Sequence, residues 1–304
     1  MSPDEFALAL RVLEAPLFLD NRGTETPLGV EFTATTSDGK SVFVTQLSPA
    51  LNSCVTDPDA FVRMLGRYGY QGAGITESGQ LYYLELPPQG VTLAQRLAST
   101  GSVPAAELTA IATATIDVLM RLELRGDVHG MVTPGAVHLL DTGSVSLRWP
   151  GLIPALCAAG VPPAVIVEAL DIAPFIAPEV QRGAPSGTAA DIFALGTTLY
   201  AGLTGRPPFG GRTTATMMAA VLADDTAPVT RVADTLTTVL LRAIETSPDD
   251  RWRDLQQFHD ALDTEFAAAA RSGEKVSARR GCLVFIAIVV GAGLLLEAVS
   301  QYIS

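Results

Sequence analysis

The chain has 304 residues, a formal charge of −12 and a sequence pI near 4.6. That length holds a domain of roughly 250 residues with a tail. The acidity excludes a nucleic-acid partner, which calls for a basic face, and a domain surface lying on anionic lipid. Cys54, Cys157 and Cys282 form no C-x-x-C pair, and with only His129, His138 and His259 beside them no metal-ligand spacing exists. A reducing, cytoplasmic setting for most of the chain follows. The acidic opening Met-Ser-Pro-Asp-Glu is not that of a signal peptide.

Residues 6–13 carry apolar positions at helical spacing and predict a short leading helix within residues 1–16. From residue 17 to 87 the pattern turns to short strands. Residues 30–35 and 41–47 alternate around the hairpin turn Ser37-Asp38-Gly39-Lys40. A short helix is expected over 59–68, then strands around 74–75 and 80–86. Residues 90–97 and 105–124 read as helices, the second entered from Pro104. Next comes a loop with His129 and Pro134, a hairpin, and Trp149-Pro150-Gly151. Residues 152–178 are largely apolar, with Pro162-Pro163 opening a helix through Leu170, and end in Phe-Ile-Ala-Pro-Glu179. Asp191-Ile-Phe-Ala-Leu-Gly-Thr-Thr-Leu-Tyr200 and Ser247-Pro-Asp-Asp-Arg251-Trp complete the series.

In this order and spacing the motifs resemble those of the bacterial Ser/Thr protein-kinase family across residues 17–266. His129 stands for the His of His-Arg-Asp, Gly151 for the Gly of Asp-Phe-Gly, residues 175–179 for Tyr-x-Ala-Pro-Glu, and residues 191–200 for the central helix. The resemblance implies an α+β, two-lobed kinase-like fold: a small β-rich N-lobe over 17–87 and a helical C-lobe over 88–266. It also implies that Glu179 and Arg251 form a buried ion pair, and that Asp191 accepts hydrogen bonds from the backbone near His129.

Phosphoryl transfer relies on positioning and charge neutralisation, and the residues that supply these are replaced. The lysine position of Val-Ala-Val-Lys is Thr45. Its Glu partner is missing, since between residues 50 and 76 the acids are Asp57 and Asp59, both at a helix start, where they cap. The glycine-rich loop keeps only Gly29, with Thr24 and Thr26 at its other two glycine positions, where side chains obstruct close approach to phosphates. The proton-accepting Asp is Met131, the following Lys is Thr133, the metal-binding Asn is Ala136, and the main Mg²⁺ ligand is Trp149, an indole. The cleft is thus expected to hold neither a cation nor a hard-metal carboxylate, and no metal, ATP or other cofactor. Residues 152–178 contain no Ser, Thr or Tyr, so phosphorylation of this segment is no switch. It either folds inward and plugs the cleft or presents an apolar docking surface; the residues alone leave both open.

Residues 267–280 form a basic linker with Arg271, Lys275, Arg279 and Arg280, and 281–303 read as a transmembrane helix. With nothing basic after the span, the positive-inside rule places the kinase-like domain in the cytoplasm and the last residues outside a cell membrane. Ala287 and Gly291 offer a small-x-x-x-small face for homodimer pairing. The expected function is that of a pseudokinase: a membrane-anchored, inactive kinase homologue acting as scaffold or regulator on protein partners. Two alternatives stand beside it. One is an atypical ATP- and Mg²⁺-dependent kinase using displaced acids such as Asp127 or Asp141. The other is a structural part of a membrane machine, resembling the kinase-like, single-span component of type VII secretion systems, against which the short stretch after the span counts.

Overall fold

A computed structural model describes residues 17–19, 23–223 and 235–272. The chain divides into two compact units, Met1–Phe266 and Ala267–Ser304. The predicted leading helix, most of the basic linker and the predicted span at 281–303 lie outside the described residues. No helix among the described residues is long and apolar enough to cross a membrane.

The first unit begins with β1 (Leu17–Leu19), β2 (Thr24–Thr26), β3 (Gly29–Thr36) and β4 (Ser41–Leu47), then two helices, α1 (Pro49–Asn52) and α2 (Pro58–Leu65), then β5 (Gly72–Ile75) and β6 (Leu81–Glu85). The strands form an antiparallel sheet in the order β1-β3-β4-β6-β5, with β2 also on β3. Period-2 alternation gives this sheet two unlike faces. Val30, Phe32, Ala34, Val42, Val44, Tyr82 and Leu84 make a small apolar cluster on one face. Glu31, Phe43, Thr45, Tyr83 and Glu85 alternate with them, and the register sets Glu31 beside Thr45, Thr45 beside Tyr83, and Phe43 beside Glu85.

The predicted helix at 59–68 is shorter, Pro58–Leu65. Asp57 caps it, its Oδ1 accepting from the Ala60 amide at 3.0 Å, and Gly66 follows its last residue. The helix expected from residue 90 starts at Leu93. Val91–Thr92 is instead strand β7, and Thr92 with Gln95 forms a reciprocal capping box that fixes the start of α3 (Leu93–Thr100). The long α4 (Ala105–Glu123) leads to the loop at 127–136. That loop is followed by β8 (Val137–Leu139) and β9 (Val145–Leu147), which form a small sheet with β7.

Two helices follow, α5 (Leu152–Ala158) and α6 (Pro163–Leu170), the second where Pro162-Pro163 predicted it. The first was not anticipated. Leu152, Ile153, Ala155 and Leu156 of α5 and Ile166, Val167 and Leu170 of α6 are buried, so this segment folds inward. The alternative of an apolar docking surface at 152–178 is corrected: a run of apolar residues is equally a run that can be covered, and here α2 packs against α5. Then come α7 (Pro178–Gln181), α8 (Thr188–Thr204), α9 (Thr214–Ala223), α10 (Thr235–Ala243) and α11 (Leu255–Ser272). Helix α8 is buried nearly all round from Ala190 to Gly202 and is the axis of the helical lobe.

Candidate functional site

The loop at 127–136 is strapped to its surroundings by backbone bonds. Asp191, near the start of α8, accepts from the amides of His129 and Gly130, both at 2.7 Å. Burial pushes its carboxyl up to about 6 against the pull of those two amides. Burial also holds the His129 imidazole neutral, down to about 3, and its Nδ1 accepts from the Met131 amide at 3.2 Å. The His129 carbonyl in turn accepts from the Gly151 amide at 2.9 Å, and the Val132 carbonyl from Thr198 Oγ1 at 3.0 Å. Below the loop, Arg251 meets Glu179 in a two-pronged pair, Nη1 to Oε1 at 2.7 Å and Nη2 to Oε2 at 2.8 Å. Its guanidinium also donates to the carbonyls of Glu245, Ala189 and Thr246 and lies over the Phe193 ring.

The positions expected to be degenerate are not gathered around an open cleft. Met131 is buried in a cluster that runs without interruption from Leu28, Leu47, Phe61, Leu65 and Tyr83 of the sheet lobe to Leu152, Ile153 and Leu156 of α5. Ala136, Thr133 and Thr45 are also buried. Residues 24–31 form a hairpin with the two-residue turn Pro27-Leu28, closed by Thr26 opposite Gly29, and Thr26 Oγ1 donates to the Gly29 carbonyl at 2.9 Å. Thr24 is exposed. Gly29 has φ +142°, and a Cβ there would come within 1.9 Å of the Gln46 carbonyl, so close strand packing explains this glycine without a ligand. Leu28 at the tip joins the same buried cluster as Met131.

One constellation was missed. Arg148, at the end of β9, reaches up to the sheet and bonds Glu85 through Nε at 3.0 Å and Nη2 at 2.6 Å, and Glu31 through Nη2. Its guanidinium lies 5.5 Å from the Phe43 ring centroid and 4.7 Å from that of Trp149. Burial works against its charge, but the two carboxylates outweigh burial and raise its pKa. Glu85 moves up as well, because its burial outweighs Arg148. The expectation of a cleft without cation or carboxylate is therefore corrected: both are there, bonded to each other. The signal that finds them is strand alternation, which puts Glu31 and Glu85 on the face of Thr45; a search for family motifs passes over them.

Trp149 has φ +66°, a left-handed conformation unusual for a bulky side chain. Gly151, at φ +73°, leaves no room for a side chain, since a Cβ would lie 2.2 Å from the Tyr68 ring. Of the two displaced acids, Asp127 is buried and held by Arg67 Nη2 at 2.7 Å with Arg125 Nε at 3.6 Å, and Asp141 is exposed in the β8–β9 turn. The residues present do not fit a magnesium nucleotide. The kinase-motif positions hold a methionine and an alanine in a core, an indole beside a guanidinium, and a threonine, and supply no carboxylate and no ammonium; the nearby Glu31 and Glu85 carboxylates are bonded to Arg148. Among the described residues no cluster of three or more His, Cys, Asp or Glu is placed to hold a metal ion.

This architecture has counterparts. The structure of Rad53 1–466 in complex with AMP-PNP matches with a TM-score of 0.61 at 16% identity, covering 84% of this chain and 66% of that one. The serine/threonine-protein kinase PknB of Mycolicibacterium smegmatis is 25% identical over 218 residues, 68% of this chain and 35% of that protein. Serine/threonine-protein kinase PkaA of Streptomyces coelicolor is 32% identical over 127 residues, 41% of this chain and 20% of that protein. The chain spans about a third of the length of PknB and a fifth of PkaA. No protein-family model matches it. The fold is kinase-like, α+β with a β-rich lobe and a helical lobe, and the chain is related to bacterial Ser/Thr kinases.

Proposed function

We propose that this protein is a pseudokinase: a kinase homologue without phosphotransfer activity that acts as a scaffold or regulator by binding other proteins. In this reading residues 281–303 anchor it in a cell membrane, with the kinase-like part on the cytoplasmic side, and neither ATP, Mg²⁺ nor nucleic acid is a ligand. One observation carries it. Met131, at the position of the proton-accepting Asp, lies in a hydrophobic core that joins the sheet lobe to α5, and Arg148 is bonded to Glu31 and Glu85. An Arg already shared by two carboxylates offers little to a triphosphate, whose charge would go unanswered there.

The test is a pair of measurements on the purified full-length chain. ATP with Mg²⁺ is expected to leave the unfolding temperature unchanged; a ligand present at 100-fold its Kd would add about 2.7 kcal/mol of stability. Phosphate transfer from labelled ATP to itself or to a general acceptor protein is expected to stay at background. Transfer that disappears on substituting Asp127 would overturn the proposal in favour of an active, atypical kinase, the reading favoured by relatives that are named serine/threonine-protein kinases.

A further inference from the structure

Residues 68–71 after α2, residues 85–89 between β6 and β7, and residues 146–150 around the end of β9 border an open pocket of about 450 Å³. No residue of the 24–29 hairpin or of the 127–136 loop lines it; of the positions compared above with a kinase's catalytic residues, only Trp149 reaches its wall. Its size falls in the range of small-molecule sites, roughly 300–1,000 Å³. Tyr68, Tyr70 and Trp149 contribute aromatic rings to its wall, and Glu85 and Arg148 lie together in its lining.

The charge around this pocket does not balance. Arg148 is one cation bonded to two carboxylates, Glu85 in the lining and Glu31 behind it, which leaves one negative charge in surplus. Arg148 Nε and Nη2 both donate to Oε1 of Glu85, and neither donates to its Oε2. Burial raises the Glu85 pKa in spite of Arg148. An anionic ligand would meet the surplus with the same sign. A neutral ligand would leave it standing. A flat cation supplies the missing charge and can lie against aromatic faces, which attract cations through their quadrupole.

We propose that this pocket binds a small, flat organic monocation of the amidinium or guanidinium type, with Glu85 as its counter-ion and Tyr68, Tyr70 and Trp149 as its walls. The inference is independent of the catalytic reading and stands whether or not the chain transfers phosphate.

Calorimetric titration of the purified full-length chain with benzamidine tests it, with benzoate as the anionic molecule of the same shape. Benzamidine is expected to bind with Kd below about 1 mM and benzoate to give no binding heat. Glu85→Gln, which removes the surplus charge at constant volume, should weaken benzamidine binding by about tenfold or more. Ser146→Trp, which places an indole in the pocket from its exposed rim, should abolish it. Absence of benzamidine binding to the unaltered chain, equal binding of benzoate, or unchanged affinity in Ser146→Trp overturns the proposal. Circular dichroism reports whether Glu85→Gln folds; if it does not, Ser146→Trp decides alone, since its side chain is exposed and makes no bond to Arg148.

Discussion

Arg251 has five N–H donors, and all are used: two to the Glu179 carboxylate and three to backbone carbonyls. A guanidinium removed from water is tolerable only when satisfied this fully, and deleting it strands a carboxylate and three carbonyls together. Arg251→Ala is expected to cost about 3–5 kcal/mol, read as a lowered urea midpoint. Asp191 behaves differently with pH. Its folded pKa, about 6, lies above the 3.8 of an unperturbed carboxyl, so the folded form binds the proton more tightly and Asp191's contribution to stability declines as pH rises through that window. Between pH 5 and pH 7 the stability of the unaltered chain minus that of Asp191→Asn should fall by roughly 1–2 kcal/mol, measured by urea titration at several pH values. A difference that is flat or that rises would show that the two amides outweigh burial.

At the level of elements, the decisive piece is α5. It starts immediately after Gly151, buries one side against α2, and closes the region around Met131 with its own Leu152, Ile153 and Leu156. The family resemblance makes Met131 look like a lost catalytic residue; the fold makes it a core residue. Restoring the family's side chain should therefore harm the protein. Met131→Asp is expected to destabilise by about 2 kcal/mol or more, since it desolvates a carboxyl without a partner, and to gain no phosphotransfer. Normal stability together with new activity would count against the buried role. Helix α6 was legible because two prolines fix its start and helical spacing carries it to Leu170. Helix α5 was not, because Leu-Ile-Pro-Ala-Leu-Cys-Ala carries no side-chain cap and a proline at its third position. Only the apolar surface of α2 gives it a reason to form.

Across the whole molecule, Arg148 links the lobes: it directly follows β9 of the helical lobe's small sheet, while Glu31 and Glu85 belong to the six-stranded one. Removing it leaves the buried Glu85 carboxylate and the half-buried Glu31 carboxylate facing one another. Arg148→Met is expected to cost about 3–5 kcal/mol. The triple variant with Glu31→Gln and Glu85→Gln should recover much of that loss, because the repulsion goes with the charges. Denaturant titration of the four combinations measures the coupling, and additive effects would show that the cluster does not tie the lobes.

The sequence by itself determined the kinase-like order of elements, the helix and strand assignments of most of the chain, and the identity of the residues at the kinase motif positions. The helix and strand assignments depend on periodicity, caps and spacing, which are local along the chain; the order and the motif positions rest on the resemblance to kinases. The tertiary structure alone decided that the segment at 152–178 turns inward, that Leu28 and Met131 share one core, and that Arg148 closes on Glu31 and Glu85. Those outcomes depend on which faces meet. Burial and ion pairing between residues 63 and 117 positions apart are set by the packing of whole elements.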